Sequence, residues 1–485
     1  MINRRALISH SVTLLTTALM NKVAQAREIK IEKKNLALLH TEVINCVKAL
    51  VGTKKIELVL LYPKGCLPNL TPIIDSFSQK TGVKIQLKET GVDDINSTIL
   101  FKTAQRDHFF DIALPATFGI PDLVNANVLA PLDQYRERYE PVDYKQYQLY
   151  DYGDYVDNQF YGYQTDGDTY LMFYNKAMID KPEEQQSFAR RYGYSLAIPE
   201  TWEQLDTMIE FFHRPERQQY GGCLFRTPGY GAWEWWSRFH AKGYYPFDKD
   251  LNPQINNSAG IDALQEMINV SRYLHPKTAS DGLFENWASF AEGQTFCNIG
   301  WGGSQKYFNG KQSSVKDSLY YAPAPGGKFD NKIVSCPIFN WGWNYVVSSL
   351  CPHADIAYLF SLYACSPVIS TLAVQQNGFF DPFREEHYSD STIEQAYSKE
   401  FLVAHRQSMK NCVPDFYVQN QSIYLSSLQE NIHLAYKGSL SVKQALDITA
   451  AQWQLQTAKI GRKQQKKKWQ NLKKKYPPAL RKVLK

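Results

Sequence analysis

Between positions 56 and 114 short apolar runs alternate with segments of helical spacing, and this alternation constrains the fold more than any other feature. Residues 56–61 (IELVLL), closed by Pro63 and Gly65, read as a buried parallel strand. Residues 70–80 place Leu70, Ile73, Ile74 and Phe77 on one helical face, with Thr71 as the cap and Pro72 at the first helical position; Thr81-Gly82 ends the helix. Residues 83–87 alternate as a second strand, 94–105 form a helix and 110–114 a third strand. Such an order builds an open parallel α/β sheet, in which ligands bind beyond the carboxyl ends of the strands. Those ends are residues 62–66 and 115–118. Lys64, Thr117 and Phe118 therefore stand at the mouth of a cleft, or are ordinary loop residues.

The chain has 485 residues, more than one core usually organises. With 44% hydrophobic and 21% charged residues it buries sizeable cores, which excludes a disordered or collagen-like chain and a disulfide miniprotein. No run of 18 apolar residues occurs, which excludes a polytopic membrane protein. The formal charge is +6, yet residues 459–485 hold twelve Lys/Arg and 1–26 hold three, neither with any acid. Without them, residues 27–458 carry −9. An acidic body argues against a nucleic-acid partner, which calls for a basic stripe.

Residues 1–26 combine Arg4-Arg5, a mildly apolar run and Ala24-Gln25-Ala26, the pattern of an export signal cut after Ala26. Arg4-Arg5 also fits a twin-arginine signal, although Ala6 stands where Phe is usual. The alternative is an ordinary N-terminal helix. No cysteine lies near the cut, so no lipid anchor is expected. Export permits disulfides among the eight cysteines, and buried free thiols with one or two bridges are the simplest expectation. No CxxC pair and no zinc-like spacing occurs, so neither metal nor cofactor is expected.

A second α/β unit begins near Gly167. Thr201 and Gln204 form a capping box for a helix reaching Phe212, 258–274 read as helix, 295–300 and 340–348 as strands, and 353–376 and 391–458 as helix. Seven segments then occur in order. They are LTPIIDSFSQKTGV (70–83), FFDIALPATFGIPDLVNANVLAPLD (109–133), QFYGYQTDGDTYLMFYNK (159–176), IPETWEQL (198–205), FAEGQTFCNIG (290–300), YAPAPG (321–326) and NGFFDPFR (377–384). Together they resemble the extracellular solute-binding proteins of ABC importers, of the maltose-binding-protein-like, carbohydrate-associated class. The resemblance covers roughly residues 55–460. Asn127 and Gln164 depart from it, standing where Gly and Pro are usual.

The resemblance implies a two-lobed α/β clamshell joined by crossing strands and closing on its ligand. The expected order is an export signal (1–26), an N-terminal extension helix (27–54), lobe 1 (55–163), lobe 2 (164–322), a return to lobe 1 (323–384), C-terminal helices on lobe 2 (385–458) and a basic tail (459–485). It implies a monomeric periplasmic protein that is no enzyme and that hands a sugar or polyol to permease subunits in the inner membrane. The chain has no phosphate loop of its own.

A sugar offers hydroxyls at its edge and C–H faces, which suit carboxylates and aromatic rings. Asp166 and Asp168 in the crossing segment, Trp301 at a strand end, and Trp341 and Trp343 on the same side of a strand are the candidates. Trp235 stands for the Trp233–Trp236 cluster, and Arg384 either touches ligand or braces the hinge. Asn340 and Asn344 offer further hydrogen bonds. The rival readings are a secreted glycosidase, with Glu234 and Asp168 as a carboxylate pair, and a clamshell for a metal or anion, for which the 31 tyrosines supply ligands. The tail, with Lys466-Lys467-Lys468 and Lys473-Lys474-Lys475, is either solvated or a contact for anionic headgroups or an acidic partner.

Overall fold

Two mixed sheets carry the architecture. The computed structural model describes residues 36–105 and 108–485, so the expected export signal lies outside the described residues. The strands that matter here are β1 (Glu57–Pro63), β2 (Lys84–Thr90), β3 (Ile112–Ala113), β4 (Gly162–Gln164), β5 (Leu171–Asn175), β6 (Tyr220–Cys223), β7 (Thr295–Gly300), β8 (Leu319–Pro323) and β9 (Asn344–Val347). The first sheet has the order β2-β1-β3-β9-β4 and the second β8-β5-β7-β6. β1 lies parallel to β2 and β3, as its continuous apolar run requires, with Leu58, Leu60 and Leu61 fully buried. β9 returns antiparallel to both β3 and β4.

The helix after β1 is Leu67–Thr81, starting three residues before the spacing predicts. Pro68 occupies its first turn, whereas Pro72, expected at the first helical position, lies inside the helix and removes the hydrogen bond to the Pro68 carbonyl. Thr71 does not cap; its hydroxyl donates back to the Leu67 carbonyl at 2.9 Å. The expected helix at 353–376 is two, Ala354–Ala364 and Pro367–Val374, bent by 66° at Pro367. Among the described residues no single helix is long and apolar enough to cross a membrane. The capping box of Thr201 and Gln204 forms as read, starting the helix Trp202–Phe212. All eight cysteines are free thiols, seven of them buried, so the bridges that export would permit are not formed.

Three segments run side by side between the sheets. Residues 165–170 lead from β4 to β5, and Tyr170 donates its N–H to the carbonyl of Ile338 in the segment that leads back to β9. Phe339 in turn donates to Val413, and Val413 to Pro337, adding a third strand-like crossing before the helix Gln421–Tyr436. The helix Lys399–Asn411 packs on β8 and β5.

The basic tail is structured. Helices Arg462–Lys474 and Pro478–Arg481 bury Trp469, Leu472, Tyr476 and Leu480, and Trp469 meets Phe247 and Tyr245 at 5.7 and 5.9 Å. Lys463, Lys467, Lys474 and Lys482 are exposed, whereas Lys468 is buried and pairs with Asp157 at 2.8 Å. The tail is thus neither loose nor wholly solvated.

Candidate functional site

The crossing segments, the end of β7 and the start of β9 surround a narrow, ring-lined pocket. Its walls are the rings of Tyr230, Trp287, Trp301, Trp341, Trp343 and Phe379, and among the described residues Asp168 is the carboxyl group lining it. A second, wider compartment shares Trp287, Gly303 and Phe379 with the first and is bordered by Lys64, Lys306 and Lys311.

Trp301 follows β7 directly and opens the helix Gly302–Phe308. Its ring is fixed by an indole N–H donated to Asn340 Oδ1 at 3.1 Å and by the edge-on ring of Tyr170 at 4.7 Å. Trp341 and Trp343 both reach the cavity, but not by strand alternation. β9 starts only at Asn344, and Trp341 and Gly342 have φ values of +73° and +33°. A Cβ at Gly342 would lie 2.5 Å from the Phe339 ring, so this turn needs glycine.

Thr117 and Phe118 support that turn from behind. The Thr117 N–H donates to the Trp341 carbonyl at 2.9 Å, its hydroxyl donates to Asp415 Oδ2 at 2.8 Å, and Phe118 meets Trp341 edge-on at 5.2 Å. Asn344, instead of facing the cavity, donates to Asp154 Oδ1 at 2.8 Å. The indole N–H groups of Trp287, Trp341 and Trp343 are buried and have no hydrogen-bond partner among the described residues. Each is a donor already removed from solvent, which costs free energy until an acceptor meets it.

Two expected site residues lie elsewhere. Trp235 is fully buried in the second lobe's core, stacked on Phe239 at 5.1 Å and donating to the Gly260 carbonyl at 3.1 Å. Arg384 is also fully buried; its guanidinium lies 5.1 Å from the Tyr144 ring and 3.3 Å from Glu386. Glu234 does not pair with Asp168 across the cavity. Arg226 and Arg238 clasp it at 2.6 and 2.9 Å.

Behind Asp168 sits a polar knot. Carboxylate oxygens of Asp166, Asp168 and Asp381 lie within 4.8 Å of one another. The Asp381 N–H donates to Asp166 at 2.7 Å, while the Tyr397 hydroxyl and the Gly303 N–H donate to Asp381 at 2.6 and 3.0 Å. Burial pushes the Asp166 and Asp168 carboxyls well above the usual range, and the neighbouring carboxylates add to it. Burial lowers the Lys306 ammonium to about 8 against the opposing pull of these acids.

Tyr230, Trp287 and Phe379 are wall residues that sequence reading did not single out. Phe379 lies within the segment NGFFDPFR, and Tyr230 just precedes the tryptophan cluster. Trp287 stands four residues after Leu283 on one helical face, and both line the cavity.

Two lobes joined by crossing segments around an aromatic cavity define a clamshell binding protein. The sequence profile of the bacterial extracellular solute-binding proteins matches residues 68–367, and the chain belongs to that family. No curated relative matches it significantly. Among solved structures it is similar to the maltose-bound MalE3 of T. maritima (16% identity, TM-score 0.69, covering 82% of this chain and 99% of that one). It is also similar to a solute-binding protein of Agrobacterium vitis S4 with D-mannitol (18%, 0.67, 84% and 99%). A third is that of Agrobacterium radiobacter K84 with ribitol (15%, 0.68, 82% and 97%). At these identities the likeness concerns the fold.

Proposed function

We propose that the chain is the periplasmic solute-binding component of an ABC importer, which captures a sugar or polyol between its lobes and delivers it to inner-membrane permease subunits. The observation that carries this reading is the set of buried, unpartnered indole N–H groups of Trp287, Trp341 and Trp343 around Asp168. Hydroxyl oxygens accept from the indoles, hydroxyl protons go to the carboxyl, and C–H faces lie against the rings. Lys64 stands at the rim of the wider compartment, on the route of entry. Asp166 works through Asp381, and Thr117 and Phe118 through Trp341. Thermal-shift screening against sugars and polyols, followed by calorimetry of the hits, tests the reading; an empty screen contradicts it.

The exposed lysines of the C-terminal helices are the surface for anionic headgroups, supported by an apolar face that pins those helices to the body and turns the cations outward. A lysine near an anionic leaflet contributes about 1 kcal/mol.

A further inference from the structure

The carboxyl groups behind the aromatic cavity outnumber the cations that face them. Three acids, Asp166, Asp168 and Asp381, share one buried spot. The buried ammonium beside them is Lys306, and its Nζ donates to the carbonyls of Gln376, Gly378 and Phe380 at 2.9, 2.9 and 3.0 Å, so its protons point at backbone. His405, which contacts the Gly167 carbonyl at 2.8 Å, is held neutral by burial. Asp166 Oδ2 is buried with no hydrogen-bond partner among the described residues.

Asp168 alone of the three opens on the cavity. The same pocket is lined by Tyr230 and Trp341, whose rings stack on each other at 6.0 Å and 18°, and by Trp343, 6.2 Å from Trp341. Indole and phenol faces attract cations, more strongly where water is excluded. Trp343 is 2% exposed, and its N–H has no partner among the described residues, so an acceptor on the same solute would satisfy it. A wholly neutral polyol would meet the acceptor requirement but bring no cation to Asp168 and the surrounding rings.

We propose that the preferred solute carries an ammonium group beside its hydroxyls, an aminated sugar or polyol whose cation lies against Asp168 within the aromatic walls. This rests on the sugar or polyol reading and names the substrate class of the same cavity. The ammonium bonds Asp168 against the aromatic walls, and the hydroxyls accept from the indoles.

The test is calorimetry on the full chain with matched pairs: glucose and glucosamine, sorbitol and 1-amino-1-deoxysorbitol, and corresponding pairs of pentitols and disaccharides. In at least one pair the amine is expected to bind ten times or more tighter than its neutral partner. N-acetylation of that amine should abolish the advantage, and Asp168→Asn should reduce it to about the neutral level. The wild-type series decides the matter even where Asp168→Asn fails to fold. Neutral members binding as tightly as the amines, or tighter, overturn the proposal and leave the sugar or polyol reading standing. No binding by any member overturns both.

Discussion

Trp301 donates its indole N–H to Asn340 Oδ1 at 3.1 Å, tying the end of β7 to the segment that leads back to the first sheet. The bond orients one of the four indole rings that line the cavity. Trp301→Phe keeps a ring but leaves the Asn340 carbonyl buried and unpaired, at about 1–3 kcal/mol. Solute affinity is expected to fall about tenfold in Trp301→Phe and more than 100-fold in Trp301→Ala, measured by calorimetry.

Gly302 touches the acid knot so closely that a Cβ there would stand 2.3–2.5 Å from the Asp381 carboxylate. Gly302→Ala displaces that carboxylate, and a loss of about 2–3 kcal/mol in stability is expected by denaturant unfolding. Gly303 is the control. Its Cβ would meet Trp287 at 3.4 Å, an ordinary contact, and alanine suits the helix better, so Gly303→Ala should be no less stable than the parent.

Glu234 is buried yet ionised. Burial alone would raise its carboxyl, but Arg226 and Arg238 together hold it below the usual glutamate value. A carboxyl lowered on folding stabilises above its unfolded value near 4.5, and the contribution is lost as pH falls through its folded value. Glu234→Gln leaves the buried Arg226 guanidinium without its carboxylate while Arg238 keeps Asp206, and a loss of about 3–5 kcal/mol is expected. The acid limb of the stability profile should flatten in the variant.

His240 links the body to the tail: Nδ1–H donates to the Trp236 carbonyl at 2.7 Å, and Nε2 lies 3.2 Å from the Tyr476 hydroxyl. Burial lowers the ring from 6.5 to about 4. The unfolded chain therefore binds a proton that the folded one refuses, and stability falls as pH drops from 6.5 toward 4, by up to roughly 3 kcal/mol. Thermal unfolding from pH 7.5 to 4.5 should show a shallower loss in His240→Asn than in the parent.

Replacing Lys463, Lys467, Lys474 and Lys482 with glutamine should leave the melting temperature within about 2 °C, because all four are exposed. Flotation with vesicles containing anionic lipid should lose most of the bound protein at low salt. Retention equal to the parent would contradict the membrane-facing role of this surface.

The first sheet was readable because each of its elements announces itself locally, the apolar run of β1 and the spacing of Leu70, Ile73, Ile74 and Phe77 above all. Asp168, Trp301, Trp341 and Trp343, which line one cavity, were singled out because aromatic and acidic side chains stood at strand ends and crossings. Trp235 illustrates the limit: one helix carries Trp233, Trp235 and Trp236, and periodicity does not tell which face meets a core. Trp341 and Trp343 reached the cavity for a different reason than expected, since the positive φ at a non-glycine residue depends on packing by Thr117 and Phe118 from another segment. Tyr230 and Phe379 became wall residues through long-range folding that no local pattern expresses.

The central claim is that solute lies among these rings and against Asp168. Calorimetric titration of the wild-type chain and of Trp343→Ala with the best sugar or polyol from the screen tests it most directly. Saturable one-to-one binding to the wild type, weakened at least 100-fold in Trp343→Ala with the melting temperature of the unliganded protein kept within a few degrees, is the expected result. Equal affinity in the two proteins would contradict the account.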